Sequence, residues 1–194
     1  MRNQFEYYGL KTPVRRAIQK PFLHKEYLPK ASELFAIITE LWDKPQREFQ
    51  HFGQEFAFQY IKNVSLNDMA LYEFMVTHKS WWDTVDFIAT KLMAYYFKVF
   101  PEQQKVYVHK WVHSNNIWLQ RCALLFPLKY KDHLDTDLLT TTIYSLLDSK
   151  EFFIHKAIGW VLREYSRTNP QWVNTFVQDT PLHSLSRREA LRLL

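Results

Sequence analysis

Glycine is nearly absent from this chain, with three in 194 residues: Gly9, Gly53 and Gly159. A dinucleotide-binding sheet or a phosphate loop needs glycines at fixed short spacings, G-x-G-x-x-G or G-x-x-x-x-G-K, and three scattered ones supply neither. An all-β sandwich also uses glycines at its turns, so sheet architectures are disfavoured. Cysteine occurs once, as Cys122, which excludes an internal disulfide framework and a cysteine-rich zinc site. No apolar run approaches the length of a membrane span. The first residues, Met1 to Tyr8, are polar and aromatic and lack the apolar stretch of a secretion signal, so a cytoplasmic protein is expected.

What is present points to a helical domain spanning residues 1–194. Apolar residues make up 47% of the chain and charged ones 23%, enough apolar surface for a core and too little charge for wholesale disorder. The net charge of +5 fits a polyanionic partner, but it fits simple solubility equally well.

The chain repeats. Tyr60, Tyr95, Tyr130 and Tyr165 stand 35 residues apart, and each closes a stretch with helical periodicity: Lys44–Tyr60, Lys79–Tyr95, Ser114–Tyr130 and Ser149–Tyr165. A fainter copy starts at Gly9 and another at Ser184. In the third stretch Leu119, Cys122, Ala123 and Phe126 share one helical face; in the fourth Ile154, Ala157, Ile158, Val161 and Leu162 do. Thr12 before Pro13 reads as an N-cap, and Ser149 with Glu151 reads as a second helix start. Second helices fall between, at about Ala31–Trp42, Leu66–Thr77, Glu102–His113, Thr136–Leu147 and Pro170–Gln178, with Pro45, Pro101 and Pro170 at boundaries. Antiparallel pairs of this kind must stack to bury their apolar faces. The expected fold is therefore all-α: an α-solenoid of HEAT-like helix pairs, since the tetratricopeptide consensus is missing.

One repeat position is unusual. Arg16, His51, Asp86, Arg121 and Lys156 occupy it in successive copies, and none is apolar. A polar column on amphipathic helices is expected to face solvent along a concave, basic wall. Trp82 lies one turn before Asp86 and Trp160 one turn after Lys156, on the same helical faces. Trp42, Trp111, Trp118 and Trp172 are assigned to packing or surface roles, and Cys122 to the core.

Arginine and lysine on such a face neutralise phosphates without reading sequence. The single carboxylate is then the odd member, because it repels a polyanion. It suits a ligand on which positive charge develops, such as the oxocarbenium-like transition state of glycosidic cleavage. Indoles can cradle the same cation. Arg121 nearby is expected to lower the pKa of Asp86 and keep it ionised.

These residues resemble a known family. Lys79-Ser-Trp-Trp-Asp-Thr-Val-Asp86, Ser114-Asn-Asn-Ile-Trp-Leu-Gln-Arg121 and Lys156-Ala-Ile-Gly-Trp-Val-Leu-Arg-Glu-Tyr165 are similar to motifs of the AlkD family of DNA alkylation repair glycosylases. Tyr8-Gly-Leu-Lys-Thr-Pro-Val-Arg-Arg16 and Leu185-Ser-Arg-Arg-Glu-Ala190 also look like that family. The resemblance covers the whole chain. It implies a solenoid that grips duplex DNA containing alkylated purines and hydrolyses the N-glycosidic bond of cationic N3- or N7-alkylated bases, without flipping the lesion and without a cofactor or metal. It places the catalytic aspartate on Asp86, the active-site tryptophans on Trp82 and Trp160, and the arginine on Arg121. Expected DNA contacts are Thr12, Arg16, Arg47, His51, Lys156, Arg187 and Arg188, in a monomer. It also implies one further helix before the segment matching Met1, which this sequence does not carry. A non-catalytic DNA-binding repeat protein and a protein-binding scaffold are the competing readings. His109 and His113 have the i, i+4 spacing of zinc ligands but lack a glutamate partner and a third ligand.

Overall fold

The computed structural model describes residues 3–194, so Met1, the start of the Met1–Tyr8 stretch, lies outside the described residues. Among the described residues every regular element is helical, apart from an isolated bridge between Glu6 and Gln46. Helix α1 (Thr12–Gln19) is followed by short 3-10 turns, then α2 (Leu34–Asp43), α3 (Arg47–Phe58) and α4 (Asp68–Thr77). Next come α5 (Trp82–Phe87), a π-helical segment (Ile88–Met93) and α6 (Ala94–Val99), which run on as one rod. The remainder is α7 (Gln103–Val112), α8 (Ile117–Leu125), α9 (Thr136–Tyr144), α10 (Phe152–Tyr165), α11 (Pro170–Asp179) and α12 (Ser184–Ala190).

The first residues of α1, α3, α5, α8 and α10 are Thr12, Arg47, Trp82, Ile117 and Phe152, each 35 residues after the last. These helices form one layer, in which α3 packs on α5, α5 on α8, α8 on α10 and α10 on α12. The second layer covers them: α2 lies on α3, α4 on α5 and α8, α7 and α9 on α8, and α11 on α10 and α12. The all-helical stack is consistent with a solenoid. Its core is continuous along the array and includes Ile38, Trp42, Met69, Trp111, Cys122, Ile143, Ile158 and Val173.

Local chemistry explains the boundaries. The Asn116 side chain accepts from the backbone N–H groups of Trp118 and Leu119, and Asp135 does the same for Asp137 and Leu138, so two orphan donors are satisfied at each helix start. Asn169 caps α11 ahead of Pro170. Two expected starts move. The ladder of α1 begins at the Lys11 carbonyl, which accepts from Arg15, so Lys11 is the cap and Thr12 the first helical residue. In α10 the cap is Glu151, whose own N–H is held by the Ser149 hydroxyl, so Glu151 is not in the first turn.

The π-helical segment has a visible consequence. Tyr60 and Tyr130 each donate from the phenol to a carbonyl of the preceding repeat, at Pro29 and Ala94. In the copy containing the π turn Tyr95 does not take this role; Tyr96, wholly buried, donates to Leu66. A π turn holds one extra residue, so the side chains beyond it shift by one position.

Candidate active site

The polar column is not a row of free cations. Each of the four basic members, His51 included, faces a carboxylate on a neighbouring helix. Arg16 pairs with Glu55 of α3, a carboxylate it shares with the buried Arg15. His51 pairs with Asp83 of α5 at 2.8 Å, and Lys156 pairs with Glu189 of α12 at 2.8 Å. Arg121 of α8 pairs with Asp86 of α5. Each of these pairs links one helix of the first layer to the next. The partners Glu55, Asp83 and Glu189 lie outside the repeat position of the column, which is why the register did not reveal them.

The Asp86–Arg121 pair is the most constrained. Arg121 donates from Nε to Asp86 Oδ1 at 2.7 Å and from Nη2 to Oδ2 at 2.9 Å, the fork geometry of a bidentate pair. Its third nitrogen, Nη1, donates to the Phe153 carbonyl at 2.6 Å at the start of α10. One side chain thus fixes α5, α8 and α10 together. Both carboxylate oxygens accept from the guanidinium, an arrangement that favours the ionised form. The expectation that Arg121 sets a low pKa is corrected: burial pushes the Asp86 carboxyl above its ordinary value, Arg121 pulls it back only partway, and the charge of Asp83 adds to the rise.

Asp83, one turn before Asp86, is in the opposite state. It accepts from Arg47 through Nε and Nη2, at 3.1 and 2.6 Å, and lies 2.8 Å from His51 Nε2. Burial alone would raise its carboxyl, but the His51 and Arg47 hydrogen bonds and the Arg47 charge win and hold it at about 2.

Of the residues expected to touch DNA, Arg47 is withdrawn. It is 0% exposed, and beyond Asp83 it donates to the Lys79 carbonyl and the Thr84 hydroxyl and lies against the Phe5 ring. No phosphate can reach it; it is a staple between α3 and α5. Arg16 keeps most of its side chain in solvent despite its pairing, and Thr12 and Arg188 are exposed. Arg187 is half-buried and donates to the Thr180 carbonyl. His51 and Lys156 are half-buried in their pairs.

Trp82, at the first position of α5, is 42% exposed, a large indole left open to solvent one turn from Asp86. Trp160 is half-buried, with its inner side against the core. Trp42, Trp111 and Cys122 are fully in the core, and burial pushes the Cys122 thiol well up. The sequence reading missed an aromatic group at the helix starts. The rings of Trp81, Trp118 and Phe153 lie 5.0–5.6 Å apart pairwise, and the Arg121 guanidinium sits 5.9 Å from the Phe153 ring. This group helps keep water from Arg121. Trp118 and Phe153 share a repeat position, the available signal.

His109 and His113 are exposed, with ring centres 4.5 Å apart. No group of three or more His, Cys, Asp or Glu side chains placed to hold a metal lies among the described residues, and no described helix is long and apolar enough to cross a membrane.

A family model described as DNA alkylation repair enzyme matches residues 1–194. Among solved structures, the chain is similar to a protein from Enterococcus faecalis described as a predicted DNA alkylation repair enzyme. The two are 32% identical with a TM-score of 0.92, over 100% of this chain and 90% of that one. No curated protein matches.

Proposed function

The chain belongs to the family of DNA alkylation repair enzymes, and from that premise we propose that it is a monofunctional DNA glycosylase that releases cationic N3- or N7-alkylated purines from duplex DNA. The observation that carries this reading is the Asp86 carboxylate. It is half-buried, gripped at both oxygens by a bidentate arginine, and stands one turn from an exposed tryptophan.

A purine alkylated at N3 or N7 is already positive. When its bond to the sugar breaks, the electron pair goes to the base, which leaves neutral without a proton from the protein. Positive charge moves onto the sugar ring, where Asp86 stabilises it or orients the water whose oxygen bonds to the anomeric carbon. The water's proton passes to solvent. Trp82 and Trp160 pack against the damaged nucleoside and favour the cation through their π faces. Arg121 holds Asp86 rather than gripping DNA, since its side chain is only 6% exposed and each of its three nitrogens donates within the protein.

The backbone grip falls to the ends of the helical array. Residues 1–30 carry seven Lys and Arg against two Asp and Glu, and residues 150–194 carry seven against four. Residues 31–149, which include Asp86, carry eleven against fourteen. Arg16, Lys156 and Arg188 lie in the two basic ends, and the solenoid in this reading presents them along one face of a monomer acting in the cytoplasm. No metal or organic cofactor takes part.

The test is release of 7-methylguanine or 3-methyladenine from alkylated duplex, wild type against Asp86→Asn. Loss of one electrostatic stabiliser costs about 2.7–4 kcal/mol of barrier, roughly a hundred- to thousand-fold in rate. Undiminished release by Asp86→Asn would end the catalytic reading of Asp86. Salt-sensitive duplex binding with no release by either protein would leave a DNA-binding module.

A further inference from the structure

We infer that Glu189 is a positioning residue for Trp160, acting through the two cations that flank the indole; the inference rests on the glycosylase reading of this face. Lys156, Trp160 and Arg163 follow one another at i, i+4 and i+7 along α10 and so form a single stripe. Glu189 reaches this stripe from α12. Its Oε2 accepts from Lys156 Nζ at 2.8 Å, and its Oε1 accepts from Arg163 Nη1. One carboxylate therefore ties down the side chains one turn before and one turn after Trp160.

The backbone is arranged for this contact. A Cβ on Gly159 would lie 2.5 Å from the Glu189 Cβ and 2.9 Å from the Ser186 carbonyl oxygen, so only glycine lets α12 approach so closely. Ser186 fixes the approach by donating its hydroxyl to the His155 carbonyl at 2.9 Å. The Glu189 side chain is 11% exposed, against 36% for Lys156 and 23% for Arg163. Burial, followed by the positive fields of Arg163, Arg188 and Arg192, lowers the pKa of Lys156.

A carboxylate set among its cations does not help a surface to hold phosphates, although it links α10 to α12. The carboxylate weakens the local positive field, which costs DNA affinity. What it supplies is geometry: the side chains one turn before and about one turn after the indole are held by one carboxylate, and in this proposal that limits how the indole can turn. Misplacement of a reacting group by about 1 Å can cost up to roughly a hundredfold in rate.

The experiment uses the full chain and a duplex oligonucleotide with a single 7-methylguanine. For wild type and Glu189→Gln it measures the single-turnover excision rate at saturating protein and the Kd for undamaged duplex. The expected result is a rate about tenfold lower with a Kd unchanged or tighter. In a double-mutant cycle Glu189→Gln adds little further loss to Trp160→Phe, since both act through the same ring. A Glu189→Gln rate equal to that of an active wild type, or a loss fully additive with Trp160→Phe, overturns the role of Glu189 alone. A wild type that releases no base overturns the glycosylase reading and takes this role with it. If Glu189→Gln is unfolded by circular dichroism, Glu189→Asp replaces it, because the shorter side chain keeps the charge but cannot span from Lys156 to Arg163; the same outcomes decide.

Discussion

Arg121→Met and Arg121→Lys separate the two tasks of the arginine, holding three helices together and holding Asp86 ionised. Arg121 and Asp86 have side chains 6% and 17% exposed, so water replaces little of what is lost. Methionine fills a similar volume but leaves a buried carboxylate without its partner, which costs about 3–5 kcal/mol. Lysine keeps the charge but cannot reproduce the fork. It loses two of the three hydrogen bonds to Asp86 and Phe153, each worth about 1.5–3 kcal/mol where a charged group is involved, with overlap that keeps the total near 3 kcal/mol. Urea unfolding followed by circular dichroism should show a lower midpoint at an unchanged slope. The pH profile of single-turnover excision adds an independent reading. In the proposed reaction excision runs through ionised Asp86, so its rate should fall as pH drops through the Asp86 pKa. Burial already raises that value and Arg121 opposes the rise, so removing Arg121 moves the acid limb to higher pH. An Arg121→Met protein as stable as wild type, or one with an unmoved acid limb, would refute the reasoning.

Arg47→Met tests the withdrawal of Arg47 from the DNA face: stability should fall by about 3–5 kcal/mol in urea while the slope of log Kd for duplex against log salt stays as in wild type. A shallower slope with unchanged stability would return Arg47 to the phosphate contacts. His155 supplies a prediction on pH. Its ring stacks on that of His183 at 3.9 Å, and burial, His183 and Lys150 push its pKa below the ordinary 6.5. The unfolded chain therefore takes up the proton first, so this contribution to stability is full above 6.5 and is lost as pH falls below it. Thermal melts at pH 7.5 and 5.5 should draw apart less in His155→Gln than in wild type; an equal separation would sink the idea.

The helices were legible because their signals are local. Apolar spacing and prolines placed the helix pairs, and the repeated tyrosines placed the period; starts moved by up to three residues, as where Lys11 or Glu151 replaced the expected cap, and ends by up to five. Asp86 and Arg121 were found together because they pair across adjacent copies at the same repeat position. Glu55, Asp83 and Glu189 were not, because long side chains reach across a helix interface to whatever lies there, and a column of equivalent positions does not describe that geometry. The π turn was illegible for a related reason. It changes which tyrosine reaches the neighbouring carbonyl without changing the spacing at which the next helix begins, so Tyr95 kept its place in the sequence pattern while Tyr96 took the contact.

Asp83 and Asp86 show most directly how the fold separates structure from chemistry. They stand one turn apart on one short helix, and their surroundings pull them in opposite directions. Asp83 has more than enough positive charge around it: Arg47 and His51 hold its carboxyl at about 2, and its ionised form gains nothing from a further cation. Asp86 has one arginine, and burial together with the charge of Asp83 leaves its ionised form less stable than in water. A cation arriving beside Asp86 relieves that deficit, whereas the same cation beside Asp83 would find the charge already compensated. Divergent pKa values in neighbouring carboxyl groups mark a division of roles. The division here favours a ligand that is positive and becomes more so at the sugar as the bond breaks. A neutral nucleoside offers Asp86 no such relief before the transition state, so undamaged DNA should bind without reacting. In the proposed reaction, selectivity for cationic bases would thus follow from how incompletely the protein itself neutralises Asp86.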